Sequence, residues 1–123
     1  MVDKAYFFDS YAIIEIIKGN PDYQAYKNCE TVITKLNLFE IYFKLLKEFS
    51  EINADKFLAE SYDLAVDFDE DIIKLAAKFR LKNSDKNLSM TDCIGYVLAW
   101  NMGIKFLTGD KEFESVENVE HVK

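Results

Sequence analysis

The chain is poor in residues that interrupt or staple a backbone: one proline, four glycines, one histidine and two cysteines among 123 residues. Cys29 and Cys93 lie far apart, without CxxC spacing, and the single histidine, His121, stands near the end. That pattern reads as buried free thiols, with a disulfide or a zinc site as the alternative. Long hydrophobic runs are missing too. The longest apolar segment, Cys93 to Trp100, is less than half of the roughly 20 residues that a spanning helix needs. In the opening stretch, MVDKAYFFDSYAIIEIIKGN, the acids Asp3, Asp9 and Glu15 interrupt every apolar stretch, so neither a signal peptide nor a membrane span fits. A soluble, cytoplasmic protein with no membrane partner is expected. Basic residues are also scarce, 15 against 22 acidic ones, for a formal net charge of -7. Such a balance excludes a nonspecific basic nucleic-acid coat, though not a local basic patch.

What is present is apolar and aromatic. Half of the residues are hydrophobic and 15% aromatic, enough at this length for one well-formed core. No repeat, low-complexity tract or linker divides the chain, so residues 1–123 read as one domain. Lys4 to Phe8 suits a buried strand, followed from Ser10 or Tyr11 by a helix ending near Gly19. Pro21 then opens a short helix through Cys29. Thr31 to Thr34 is β-branched throughout and reads as a strand. From Leu36 the spacing becomes helical, with Leu38, Phe39, Tyr42, Leu45, Leu46 and Phe49 as one stripe. A helix at Asn53 to Ser61, a strand at Leu64 to Phe68 and a helix opened by Asp69-Glu70-Asp71 follow, the last with a stripe of Ile72, Leu75, Ala76 and Phe79. Thr91 to Met102 is apolar on almost every side and reads as a helix buried between layers. Strands at Ile104 to Leu107 and Val119 to Val122 complete the chain. Alternating strands and helices indicate a three-layer α/β fold with a mainly parallel sheet, whose ligands gather at the carboxyl ends of the strands.

Four acids stand where such a fold places chemistry, and each also has an ordinary explanation. Asp9, between a strand and a helix, suits an N-cap. Glu40 precedes Lys44 by four residues, the favourable orientation for a helical surface pair, yet Leu36, Phe39, Ile41 and Phe43 surround it. Asp92 completes Ser89-Met90-Thr91-Asp92, a capping-box pattern. Asp110, after Thr108-Gly109, is ordinary turn chemistry.

Taken together, the four belong near one edge of the sheet. If the strand ending at Phe8 neighbours the strand ending at Leu107, Asp9 and Asp110 share a cleft. Carboxylates a few ångströms apart in a partly desolvated cleft repel by several kcal/mol unless a proton or cation intervenes. Oxygen-only donors suit Mg²⁺ or Mn²⁺ better than Zn²⁺, and such ions support phosphodiester cleavage. Thr108 is placed to orient the acid that follows it.

The segments FFDSYAIIEII around Asp9, TKLNLFEIY around Glu40, LSMTDCIGYVLA around Asp92 and FLTGDKEF around Asp110 resemble, in order and spacing, the four motifs of the PIN-domain ribonucleases. The small prokaryotic VapC-type toxins are the nearest subgroup in appearance. The resemblance covers essentially the whole chain. It implies a five-stranded parallel sheet of order 3-2-1-4-5 with helices on both faces, and an acidic Mg²⁺ or Mn²⁺ site that hydrolyses RNA. Carried over by motif, Asp9, Glu40, Asp92 and Asp110 are the metal-binding, catalytic carboxylates. Ser10, Asn37 and Thr108 stand where family members carry small polar supports, and Phe113 matches a buried aromatic. Many relatives have Asp two residues after the fourth acid; here Glu112 stands there, which puts an optional fifth ligand in doubt.

The resemblance further implies a homodimer and, for toxin members, an antitoxin peptide held in a groove among the early helices. Tyr11, Ile14, Ile17, Tyr23 and Tyr26 are candidates to line it, against ordinary helix-to-sheet packing. On an acidic chain RNA must be steered by local cations, because phosphate contacts dominate affinity. Lys35, Arg80, Lys82, Lys86 and Lys111 are the candidates, each with a solvated surface charge as its alternative. Two other functional readings stand beside the nuclease: a non-catalytic interaction module on the same fold, and a receiver-like phosphoacceptor domain. The second usually needs paired acids after the first strand, where this chain has only Asp9 beside Ser10.

Overall fold

A computed structural model describes residues 4–123; the first three residues of the expected domain, Asp3 among them, lie outside it. The chain runs β1 (Ala5–Phe8), α1 (Ser10–Ile17), a 3₁₀ turn (Pro21–Tyr26), β2 (Glu30–Val32), α2 (Lys35–Glu48) and α3 (Glu51–Ser61). A second 3₁₀ turn (Tyr62–Leu64), α4 (Glu70–Lys82), α5 (Met90–Asn101), β3 (Lys105–Thr108), a third 3₁₀ turn (Lys111–Phe113) and β4 (Val119–His121) follow. Among the described residues no helix is long and apolar enough to cross a membrane.

The sheet is parallel, with order β2-β1-β3-β4. Among the described residues it has four strands, which corrects the expected five-stranded sheet of order 3-2-1-4-5. The expected strand at Leu64 to Phe68 contributes only an isolated bridge between Ala65 and Ile33, with Val66 N–H donating to Ile33 O at 2.8 Å. A ladder cannot grow there because β2 ends at Val32, and Thr34 turns away to cap α2. Leaving the outer strand out of the expected order and renumbering gives the observed one.

Strand residues alternate between two apolar layers. Phe7, Val32 and Phe106 pack with α4 and α5 on one face. Tyr6, Phe8, Ile33 and Leu107 pack with α1, α2, α3 and the first 3₁₀ turn on the other. Gly95 allows α5 its close approach, since a Cβ there would strike the Phe7 ring. The α5 helix lies against both the sheet and α4, and its residues Cys93 to Ala99 are all buried.

Two amphipathic readings need correction. On α2 the buried residues are Asn37, Leu38, Ile41 and Leu45, while Phe39 is 74% exposed and Phe43, Leu46 and Phe49 are also exposed. On α4, Ile72 and Ala76 are buried but Leu75 faces solvent. Cys93 is buried and Cys29 only half-buried, and both are free thiols.

β1 connects outward to β2 on one side and neighbours β3 on the other. This is the point in a doubly wound sheet where connections diverge and a crevice opens. The Asp9 amide donates to the Leu107 carbonyl at 3.0 Å, closing the floor of that crevice.

Candidate metal centre

Four chain segments meet at the carboxyl end of β1 and β3, and each delivers polar side chains. Asp9 leaves β1 and precedes α1 with extended backbone, but its side chain does not cap the helix. Its carboxylate turns sideways instead, where Oδ2 accepts from Thr108 Oγ1 at 2.7 Å. The same Thr108 oxygen accepts from the Asp110 amide at 3.0 Å. One buried hydroxyl therefore sets the spacing between the acids that follow β1 and β3. Gly109 makes the turn fit: a Cβ there would meet Tyr11, the Tyr23 hydroxyl and the Val122 carbonyl. Gly109 is thus required by crowding, and Asp110 is also the turn residue its neighbours suggested, with Oδ1 accepting from the Glu112 amide at 3.0 Å.

Glu40 reaches the cleft from one turn inside α2. Its Oε1 accepts from Ser10 Oγ at 2.7 Å, and Ser10 Oγ in turn accepts from Asn37 Nδ2 at 3.0 Å. Asn37 is fixed by its Oδ1, which takes Thr34 N–H at 2.9 Å and Thr34 Oγ1 at 2.8 Å, within the capping box that starts α2. The cap thus does two jobs: it begins the helix and, through Ser10, orients Glu40. The expected Glu40–Lys44 surface pair is not formed, since Lys44 binds Glu48 at 2.8 Å.

Asp92 sits in the first turn of α5. The capping box with Ser89 is present, with Ser89 N–H donating to Asp92 Oδ2 at 3.0 Å and Asp92 N–H to Ser89 Oγ at 3.1 Å. A structural role for Asp92 is therefore real, and it coexists with a place on the cleft wall.

The four acids, with Ser10, line one open cleft of about 420 Å³, and no His or Cys is among its lining residues. Asp9 is only 4% exposed. Burial, then the charges of Asp92 and Glu40, push its carboxyl up to about 8, against the opposing hydrogen bond from Thr108. Asp92 is likewise raised, first by burial and then by Asp110 and Glu40, while its bonds to Ser89 oppose the rise. Among the described residues, neither ion pair involves any of the four, both being made by Glu48. Also among those residues, no three acidic, His or Cys side chains are drawn in tightly enough to hold an ion as they stand.

The remaining sequence candidates lie elsewhere. Glu112 Oε1 accepts from the Asn87 amide at 3.1 Å and is not part of the cleft lining. Lys35 lies over the Tyr62 ring at 5.2 Å. Arg80 and Lys86 border a hollow beside the 83–88 loop, and Lys82 a groove beside Trp100. Lys111 is exposed in the third 3₁₀ turn. None of these five lines the acidic cleft, whose cations are Lys18 and Lys44. Neither stands among the cations read from the sequence as RNA-steering: there Lys44 figures only as a surface partner for Glu40, and Lys18 not at all. Of the residues proposed for a groove, Tyr23 and Ile14 are core, while Tyr11 and Ile17 are exposed. Phe113 is fully buried against Phe106, with centroids 4.8 Å apart.

A family profile described as PIN domain matches residues 6–119. Among solved structures, a toxin-antitoxin complex from Klebsiella pneumoniae is similar at a TM-score of 0.71 and 16% identity, covering 94% of this chain and 95% of that one. VapBC2 from Rickettsia felis, bound to a DNA fragment from its promoter, gives 0.70 and 16%, covering 97% and 99%. DNA-bound VapBC from Salmonella typhimurium gives 0.68 and 15%, covering 98% and 97%. Among curated proteins no sequence match is found.

Proposed function

The chain belongs to the PIN domain family, and from that premise we propose that it is a divalent-metal-dependent ribonuclease, with Asp9, Glu40, Asp92 and Asp110 as its metal-binding and catalytic carboxylates. One observation carries the reading. Four acids from separate segments face one cleft; burial and neighbouring acids push the carboxyls of two of them, Asp9 and Asp92, upward, and none of the four pairs with a cationic side chain among the described residues.

The donor set fits Mg²⁺ or Mn²⁺, being all oxygen. Each carboxylate is pinned through one oxygen, namely Asp9 Oδ2, Glu40 Oε1, Asp92 Oδ2 and Asp110 Oδ1. These four carboxylates would hold the ion, through oxygens that their hydrogen bonds to the caps and turns leave available. When bound, the ion supplies Lewis acidity at phosphorus and a water of lowered pKa. The chain's own contribution is to hold the geometry. Thr108 fixes Asp9 relative to Asp110, and the Asn37–Ser10 relay fixes Glu40. Burial at Asp9 keeps the electrostatic demand for a cation high.

On this reading the substrate is RNA in the cytoplasm, and the products carry a 5′ phosphate and a 3′ hydroxyl. The fold likeness to toxin–antitoxin complexes supports the toxin role. An apolar face of Phe39, Phe43, Leu46, Phe49 and Ile52, the last 80% exposed, supports a protein partner, either an antitoxin or a second copy in a homodimer. The test of activity is direct. Labelled RNA is incubated with Mn²⁺ or EDTA, using the parent, Asp9→Asn and Asp92→Asn. Cleavage is expected only in parent with Mn²⁺; cleavage in EDTA, or at parental rate in both variants, refutes the proposal.

A further inference from the structure

Two ammonium groups stand at the end of the acidic cleft without neutralising it. On α1, Ser10 and Ile14 recur at a spacing of four, and Lys18 continues the row just past the helix end. On α2, Glu40, Lys44 and Glu48 do the same, so each step moves about 6 Å along the axis. Both rows enter the cleft lining. They converge on a single carboxylate: Lys44 Nζ lies 2.8 Å from Glu48 Oε2 and Lys18 Nζ 3.6 Å from Glu48 Oε1. Glu48 itself is outside the cleft lining. The other acid on that wall, Glu15, is held by Asn20 Nδ2 at 2.8 Å.

Two cations against one anion leave this trio with net positive charge at the rim of a site that is otherwise acidic. All three side chains are partly exposed, and solvent screening leaves such exposed ion pairs weak. Glu48 is therefore a weak occupant that a phosphate can displace, gaining charge-assisted hydrogen bonds from both lysines.

Resting on the nuclease reading above, we infer that Lys18 and Lys44 form a phosphate-binding clamp for the RNA backbone beside the scissile position, with Glu48 as its built-in competitor. The clamp positions substrate and does not touch the reacting atoms. The displacement of one turn from Glu40 to Lys44 puts it on the neighbouring backbone, on the α1–α2 side of the cleft.

The experiment separates this from an ordinary surface ion pair. Binding of a 5′-fluorescein single-stranded RNA is followed by anisotropy across a KCl series, with Ca²⁺ replacing Mn²⁺ so that substrate stays intact. The K18Q/K44Q double variant is expected to bind more weakly, and its slope of log affinity against log salt to be shallower by about 1.4, or about 0.7 for each lysine. Glu48→Gln is expected to bind about threefold more tightly, because it releases both lysines. In cleavage assays KM for RNA should rise more in K18Q/K44Q than kcat falls, and the Mn²⁺-induced rise in Tm should persist. A double variant with parental slope overturns the assignment, as does a Glu48→Gln protein that binds no tighter. Whether the parent cleaves RNA at all is read separately, so failure of the nuclease proposal and failure of the clamp are distinguishable.

Discussion

Replacing Asp9 by Asn should stabilise the protein when metal is withheld. Asp9 is buried beside Asp92 and Glu40, which with burial itself raises its carboxyl to about 8, whereas in the unfolded chain it ionises near 3.8. Between those values the folded state binds a proton that the unfolded state has released, so stability falls as pH rises through the window. The contribution is fully favourable below about 3.8 and is lost by about 8. Each pH step in that interval amounts to about 1.4 kcal/mol, which sets a ceiling of about 4 kcal/mol at pH 7. Solvent in the open cleft lowers this, and about 2 kcal/mol is a working figure. Asn keeps an acceptor for Thr108 and has nothing to ionise. In EDTA at pH 7, Asp9→Asn should therefore raise Tm by about 5–10 °C, and its Tm should change less than the parent's between pH 5 and 8. Saturating Mn²⁺ should reverse the order, lifting the parent by linkage and leaving the variant unmoved. Thermal denaturation by circular dichroism reads all four conditions. An Asp9→Asn variant less stable than parent in EDTA, with the parent flat across that pH range, refutes the reasoning and makes the carboxylate a structural hydrogen-bond partner alone.

Two substitutions test the frame around the site. Thr108→Val preserves shape but removes the hydroxyl joining Asp9 to the Asp110 amide; it should cost about 2–3 kcal/mol in urea unfolding and weaken Mn²⁺ binding by calorimetry, while Thr108→Ser restores both. Gly109→Ala should cost about 2 kcal/mol or more by the same assay, because one of the three obstructing atoms is the backbone carbonyl of Val122 and cannot swing aside.

Much of this arrangement is legible before folding, and the exceptions have physical causes. β1 and β3 announce themselves as short apolar runs because a parallel sheet covered on both faces needs no polar alternation. The segment at 64–68 shows the limit. Its composition suits a strand, but pairing needs a partner, and β2 has already ended where Thr34 leaves to cap α2. On α2, helical spacing reads as one broad apolar stripe without saying which edge of it faces the sheet, and the structure buries Leu38, Ile41 and Leu45 while Phe39, Leu46 and Phe49 stay exposed. Of the four acids, motif order pointed to all of them, yet what orients each is visible only in three dimensions. Asp9, which looks like an N-cap, leaves its helix uncapped and belongs to Thr108, a residue remote in sequence. That Lys18 and Lys44 belong together escapes the sequence because their relation runs through Glu48, and no local pattern joins one helix to the other.

The shortened outer edge of the sheet separates what is free to vary from what is not. Among the described residues a single bridge, from Ala65 to Ile33 just past β2, is the strand pairing of the 62–68 segment, while each of the four acids hangs from β1, β3 or the early turns of α2 and α5. Ala65, Val66 and Phe68 still pack on the core, so it is the exposed turn Tyr62–Leu64 that can take an insertion and leave the acidic cleft in register, the natural place to graft a tag or a reporter.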